Sequence, residues 1–214
     1  MDARNQFLAQ IKQVFAPVLR ADGFTGSGST YRRVTGDVIH IVALQGSVSG
    51  GKCCACLGVH LSFLPGQGSL TPPDLKTIEE PDCEFRARLS PPGQSDAWWP
   101  YGTTEQEARE SAEAIRGLYE QVGAPFFQRF STFPEDFTRV TPAMLAVGGE
   151  LPFPAGCTFV RLALALARIA QRVGRTDEAR QFAEAGLARV GPATSLKHAF
   201  RQIISATGSL SLSR

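Results

Sequence analysis

Residues Tyr31 to Leu64, YRRVTGDVIHIVALQGSVSGGKCCACLGVHLSFL, restrict this chain more than any other stretch. Two long β-rich runs follow a short lead strand, with turn chemistry at Thr35-Gly36-Asp37 and again from Val48 to Lys52. Strands of this kind need cover on at least one face, and the helical patterns before and after them are the candidates for it.

In the first long run Ile39, Ile41 and Ala43 point one way and Val38, His40, Val42 and Leu44 the other. Both faces are largely apolar, so the strand belongs in the middle of the sheet. In the next run Ala55, Leu57, Val59, Leu61 and Phe63 oppose Cys54, Cys56, Gly58, His60 and Ser62. The first set is core; the second is small and mildly polar, suited either to an overlying helix or to a shallow groove. A further strand is expected in CEFRARL, where Cys83, Phe85, Ala87 and Leu89 alternate with Glu84, Arg86 and Arg88. That polar set is expected to face water or a partner.

Helical periodicity flanks these strands. Phe7, Leu8, Ile11, Val14, Phe15, Val18 and Leu19 recur at three- and four-residue spacing, with Pro17 either kinking the helix or starting a second one. Asp22-Gly23 stops it, Gly26 to Thr30 reads as a flexible lead, and Pro65 to Pro81 as a loop. Thr104 and Glu107 form a capping box ahead of the stripe Ala108, Ala112, Ile115, Leu118, Tyr119 and Val122, which Gly123 and Pro125 are expected to end. The phenylalanines from Phe126 to Phe137 suggest a short helix and an aromatic anchor, and 138–157 an irregular connector. LALALARIAQRVGRTDEARQFAEAGLARVGP reads as two helices around Gly174, with small/large spacing close to a tetratricopeptide-type pair. One pair is too few for a solenoid, which takes about three repeats, so a helical hairpin is expected. A last helix spans about Ser195 to Ala206.

The fold expected is therefore α+β: an antiparallel sheet of about four or more strands packed with N-terminal and covering helices, plus a C-terminal helical unit. The expected divisions are a sheet domain over 1–125, a connector with a short helix over 126–157 and the helical unit over 158–208.

Composition narrows the function classes. With 43% hydrophobic and 20% charged residues the chain has the profile of a soluble globular protein. A net charge of +2 gives no field suited to nucleic acid or an anionic membrane. No stretch approaches the roughly 18–20 apolar residues that span a bilayer, and the charged N-terminal helix is not a signal peptide. Five cysteines, with Cys53, Cys54 and Cys56 bunched and Cys83 and Cys157 distant, do not make a secreted disulfide framework. A cytoplasmic location is expected.

The motifs carry little catalytic chemistry. Gly46-Ser47-Val48-Ser49-Gly50-Gly51-Lys52 satisfies G-x-x-x-x-G-K, but Cys53 follows where a phosphate-binding loop needs Ser or Thr, and the next run alternates as a strand. A hairpin loop is the better reading. Cys54, Cys56 and His60 share a strand face without the paired spacing of a zinc site, so small buried cysteines are expected and no metal or cofactor is assigned. His40 sits among apolar residues as a core histidine. His60 lacks any recognisable nucleophile signature around it, and no catalytic residue is assigned. What remains is a ligand-binding set: Gln45, His60, Glu84, Arg86, Arg88, Trp98 and Trp99. Two arginines at strand spacing near aromatic rings suit a small anionic ligand or a partner's carboxylates. The reading is a non-catalytic binding or protein-interaction module, with a small-molecule-binding protein or enzyme using Gln45, His60, Arg86 and Arg88 as the alternative.

Gly23-Phe24, the Tyr31-Arg32 lead, Leu44-Gln45-Gly46-Ser47, Leu57-Gly58-Val59 and CEFRARL with Trp98-Trp99 together resemble the bacterial family of domain of unknown function 4304, over about residues 5–125. The resemblance implies an α+β domain and no reaction. Where that family places a His beside the acidic residue of the strand before Trp-Trp, this chain has Phe85, so no role for that His carries over.

Overall fold

The computed structural model describes residues 2–66, 69, 71–147 and 156–210. The chain divides into two compact units, Met1–Arg129 and Phe130–Arg214.

The first unit is built on one antiparallel sheet, with strands β1 (Thr25–Ser27), β2 (Thr30–Thr35), β3 (Val38–Gly46), β4 (Lys52–Leu61) and β5 (Phe85–Arg88) paired in sequence order. A two-residue strand, β6 (Trp99–Pro100), pairs with the start of β4 through Lys52 and Cys53. The Gly46-to-Lys52 motif is thus a hairpin loop between antiparallel strands, with no helix following it. β3 is central, as its two apolar faces require. Residues 26–30, expected as a flexible lead, instead hold most of β1 and its tight return into β2. β1 adds one short edge strand that three residues of weak β propensity do not announce.

Cross-strand register sorts the side chains onto two faces. Tyr31, Arg33, Val38, His40, Val42, Leu57, Val59, Phe85 and Ala87 share one. Helices cover it: α1 (Ala3–Gln10), α2 (Ala16–Ala21), α3 (Glu105–Leu118) and α4 (Ala124–Gln128). Phe7, Phe15, Leu19, Ala108, Ala112, Ile115, Tyr119 and Phe127 are all buried there. Gln10, buried on α1, donates from Nε2 to Glu105 Oε1 of α3 at 3.1 Å. Thr104 and Glu107 form the expected capping box at the start of α3.

Pro17 stands at the start of a second short helix, one of the two outcomes expected for it, whereas Pro125 does not end the covering helix. A π turn over Ile11–Phe15 joins α1 to α2, and another over Tyr119–Gly123 joins α3 to α4. The last wide turn is closed by Ala16 N–H on Ile11 O and by Ala124 N–H on Tyr119 O. Each proline follows immediately, in the first turn of the new segment, where an N–H is not needed. Gly123-Pro125 therefore does not end the covering helix.

The opposite face carries Arg32, Ile39, Ile41, Ala43, Gln45, Lys52, Cys54, Cys56, Gly58, His60, Arg86 and Arg88. Among the described residues of this unit no α-helix lies on it; the segment before β5 does. Ile78 and Cys83 pack with Ile39 and Ile41 in one buried cluster, and Arg32 Nε donates to the Ile78 carbonyl at 2.6 Å. Gly58 makes this cover possible: a Cβ there would stand 2.7 Å from Cys83 Sγ and 3.3 Å from Glu80 Cγ. Cys83 thus faces the side opposite Phe85, a correction to the expected alternation. A 3₁₀ turn over Glu80–Asp82 precedes it, and regular pairing begins only at Phe85.

The second unit is helical. α5 (Pro142–Val147) lies where an irregular connector is expected; residues 148–155 of that connector lie outside the described residues. α6 (Phe159–Arg172) and α7 (Thr176–Arg189) form the expected hairpin around Gly174, followed by α8 (Thr194–Leu210). Leu162, Leu166 and Ala170 of α6 and Ala179, Phe182 and Ala183 of α7 are buried. Phe200 of α8 packs so closely over Gly186 that a Cβ there would collide with its ring. Buried Asp136 accepts from the backbone N–H groups of Ser131 and Thr132 and pairs with Arg139. Among the described residues no helix is long and apolar enough to cross a membrane.

Candidate functional site

At the end of the loop-covered face nearest the β3–β4 hairpin, register brings polar residues of three strands together. Gln45 of β3 stands opposite Cys54 of β4, and Cys56 opposite Arg88 of β5. Lys52 shares their face two residues before Cys54. Of these, Gln45, Lys52 and Arg88 are exposed, whereas Cys54 and Cys56 are buried.

Arg88 is the hub. Its Nη1 donates to Gln45 Oε1 at 3.3 Å, to Cys56 Sγ at 2.8 Å and to Cys54 Sγ. Its Nε lies 3.7 Å from Asp96 Oδ1. The Trp98 ring stands over it, with the guanidinium carbon 5.9 Å from the ring centroid and Lys52 Nζ 5.2 Å from the same centroid. Trp98 is held in place by its Nε1, which donates to Asp96 Oδ2 at 2.7 Å. Two cations thus converge on one exposed indole, an arrangement its negative face favours. Lys52 forms no ion pair among the described residues.

Below this layer the Sγ atoms of Cys54 and Cys56 lie 4.0 Å apart. Cys54 Sγ is 3.5 Å from the Gln45 carbonyl and Cys56 Sγ 3.7 Å from Gln45 Oε1. Burial pushes the Cys56 thiol up to about 12, with the Glu80 charge adding to the shift and Arg88 opposing it. Cys53, on the helix-covered face, is likewise pushed up to about 12 by burial.

The remaining residues of the expected set separate from this cluster. His60 is fully buried, its Nε2 3.0 Å from the Leu64 carbonyl, and so faces no ligand at the surface. Arg86 grips Glu80 with both arms, Nε to Oε1 at 2.6 Å and Nη2 to Oε2 at 3.1 Å. Glu84 is buried and belongs to no exposed ladder; of Glu84, Arg86 and Arg88, only Arg88 is exposed. Trp99 is buried as the β6 partner of Cys53. Gln45, Arg88 and Trp98 therefore meet, while His60, Glu84, Arg86 and Trp99 are buried or paired elsewhere. Lys52 and Asp96 complete the cluster. The signal for Lys52 was its even-numbered phase with Cys54 and Cys56; Asp96, in an irregular turn, has no periodicity to place it.

A separate open cleft of about 550 Å³ is lined by Ala3, Gly51, Pro100, Gly102, Thr103 and Glu107 among others. Its two acidic members are engaged: Glu107 Oε2 accepts from the backbone N–H groups of Thr103 and Thr104 at 2.6 and 3.2 Å, and Glu110 Oε1 accepts from Gln106 Nε2 at 2.9 Å. The cleft has volume without converging chemistry, so the Arg88 cluster is the candidate site.

A family model described as Domain of unknown function (DUF4304) matches residues 15–129, which takes in the whole sheet and every residue of this cluster. Comparison with curated proteins and with solved structures gives no match.

Proposed function

The chain belongs to the DUF4304 family, and from that premise we propose that it is a binding domain without a reaction of its own, taking an anionic group on the patch of Lys52, Arg88 and Trp98. The observation that supports this reading is the convergence of two cations on the exposed Trp98 ring, with one carboxylate, Asp96, to offset them. Like charges placed side by side repel, and an anion between them relieves that repulsion. Lys52 brings an ammonium with three donors, and Arg88 Nη2 makes no hydrogen bond among the described residues, so donors remain for a carboxylate or a phosphate.

The anion belongs either to a small ligand or to an acidic segment of a protein partner. For the second, the α6–α7 hairpin offers a tetratricopeptide-like surface. A bacterial cytoplasm fits the reading, since no disulfide joins the five cysteines, four of them buried.

The test is a fluorescence titration of the full chain with inorganic phosphate, citrate and a short glutamate-rich peptide. A saturable response lost in Trp98→Phe and weakened about tenfold in Lys52→Met or Arg88→Met supports the patch. Citrate or phosphate saturating before the peptide identifies a small ligand, and the reverse order a protein segment. No saturable response from any of the three at low salt ends the reading.

A further inference from the structure

Cys54 and Cys56 ask for an explanation that the anion-binding reading does not supply, and the argument for them is independent of it. The pair is on one strand face, buried, with its sulfurs 4.0 Å apart and one guanidinium nitrogen aimed at both. A guanidinium only donates, and a neutral thiol is a poor acceptor, whereas a thiolate is a strong one. Arg88 is thus complementary to negative charge on the two sulfurs, while the Gln45 oxygens accept from the thiols in their protonated form. A cation bound directly to both sulfurs would supply the charge that holds them as thiolates.

A disulfide is the other chemistry open to two close thiols, and the backbone opposes it. Same-face neighbours on a strand are about 6.6–6.8 Å apart at Cα, at the far end of the disulfide range, and their Cβ atoms would have to close to about 3.8 Å. Both residues are held in the β3–β4 ladder, Cys54 against Gln45 and Cys56 against Ala43. A bridging metal ion asks for much less. Two metal–sulfur bonds of about 2.3 Å in line span about 4.6 Å, about half an ångström beyond the present separation.

The number of ligands and the charge select the metal. Cys53 points to the other face, His60 is held at the Leu64 carbonyl and Cys83, on the same face over Gly58, donates to the Glu79 carbonyl; among the described residues no third Cys, His or carboxylate completes a metal-holding group with the pair. Zinc, which takes four ligands in structural sites, is poorly served. A soft monovalent ion is satisfied by thiolates, and two of them around a single positive charge leave a net charge of −1, which Arg88 matches. We infer that Cys54 and Cys56 form a two-thiolate site for a soft monovalent metal ion of the copper(I) class, with Arg88 as its counter-charge. Binding breaks two S–H bonds, forms two S–metal bonds and releases two protons, with no change of oxidation state. The ion reaches the sulfurs past Arg88, whose side chain is 36% exposed on a flexible stem.

The experiment is an anaerobic titration of the full-length protein with copper(I), using bicinchoninate as the competing chromophoric chelator. One equivalent is expected to be withheld from the chelator, with an affinity that climbs up to about a hundredfold per pH unit because two protons leave. Cys54→Ser and Cys56→Ser should each abolish retention, Cys53→Ser should keep it, and Arg88→Gln should weaken it about 10- to 100-fold. Should the serine variants fail to fold, X-ray absorption at the copper edge of the wild type decides: two sulfur neighbours support the site, and a shell dominated by nitrogen or oxygen overturns it. Wild-type protein that withholds no copper(I), or a Cys54→Ser variant that withholds as much, also overturns it. Lys52→Met and Trp98→Phe should retain copper in full, so loss of the anion response and loss of the metal site are read separately.

Discussion

Arg33 donates from Nε to Nδ1 of buried His40 at 3.1 Å, and because a guanidinium has no acceptor, Nδ1 of His40 must carry the lone pair. The same Arg33 donates from Nη1 to the Asp22 carbonyl at 2.7 Å and lies over the Phe24 ring, 4.7 Å from its centroid. Asp22 in turn accepts from Tyr119 Oη at 2.7 Å. Burial first, and then this bond to a carboxylate, raise the Tyr119 phenol above its ordinary range. One side chain of β2 thereby ties the end of α2, the central strand and the covering helix together. Arg33→Met keeps most of the stem and removes every one of these donors. It should cost about 2–3 kcal/mol in urea unfolding, and Arg33→Lys should recover little of it, since an ammonium cannot serve the imidazole and the carbonyl in one plane.

Glu80 is buried beneath Arg86, whose side chain is one-third exposed, and the two meet through paired hydrogen bonds. Removing the cation alone leaves a buried carboxylate without its partner. Arg86→Met should therefore destabilise the fold by about 2 kcal/mol, less than a fully interior pair because water can reach part of the site. Adding Glu80→Gln to Arg86→Met should restore part of the loss, and a double-mutant cycle measures the coupling.

Gly58 lets the loop cover press directly against the sheet backbone. Gly58→Ala drives a methyl group against the Cys83 sulfur and the Glu80 stem, both held by short connections. A loss of about 1–3 kcal/mol is expected, with hydrogen exchange accelerating first at residues 78–83. Equal protection of that segment in the variant and the wild type would contradict this packing.

Burial of the thiols also sets an alkaline limit. Cys53 and Cys56 ionise near 12 in the folded chain against an ordinary 9.0. A raised folded value means that the native state holds its proton longer than the unfolded chain does. Stability is therefore fully present below about pH 9 and falls as pH rises from there toward 12, each thiol contributing at most about 1.4 kcal/mol per pH unit. Denaturation midpoints measured from pH 8 to pH 10.5 should decline, and the decline should be shallower in Cys56→Ala than in the wild type.

The central hairpin, the β5 strand, the capping box at Thr104 and the α6–α7 hairpin are all legible in the amino-acid order, because each rests on periodicity or a turn signal within a short window. The cover over the second sheet face is not. Its contacts join Ile78 and Cys83 to Ile39 and Ile41, some forty residues away in sequence, and nothing local to a Pro- and Gly-rich loop states which face it will lie on. That one unknown carried the expected ladder with it: Glu84 and Arg86 read as exposed because strand alternation gives a side chain's direction without saying what waits there. Arg88, beyond the reach of the loop, kept its exposure. The covering helix runs on past Pro125, against expectation, for a different reason. A missing N–H ends a regular helix, but a wider turn just upstream moves the proline to a position where the N–H has no partner to lose.

Those two wide turns face each other: Phe15, closing the first, meets Tyr119, opening the second, edge to face at 5.3 Å. Each amounts to one residue more than a regular helix would hold, and one residue turns everything after it by about 100°. A lineage that shed a residue from Ile11–Phe15 alone would gain a tidier helix and swing Leu19 and Phe24 away from the sheet; shedding one from Tyr119–Gly123 alone would do the same to Phe127. Length variation among relatives is therefore expected to leave both turns untouched and to gather in the hairpin tips and loops, where a change of length rotates nothing.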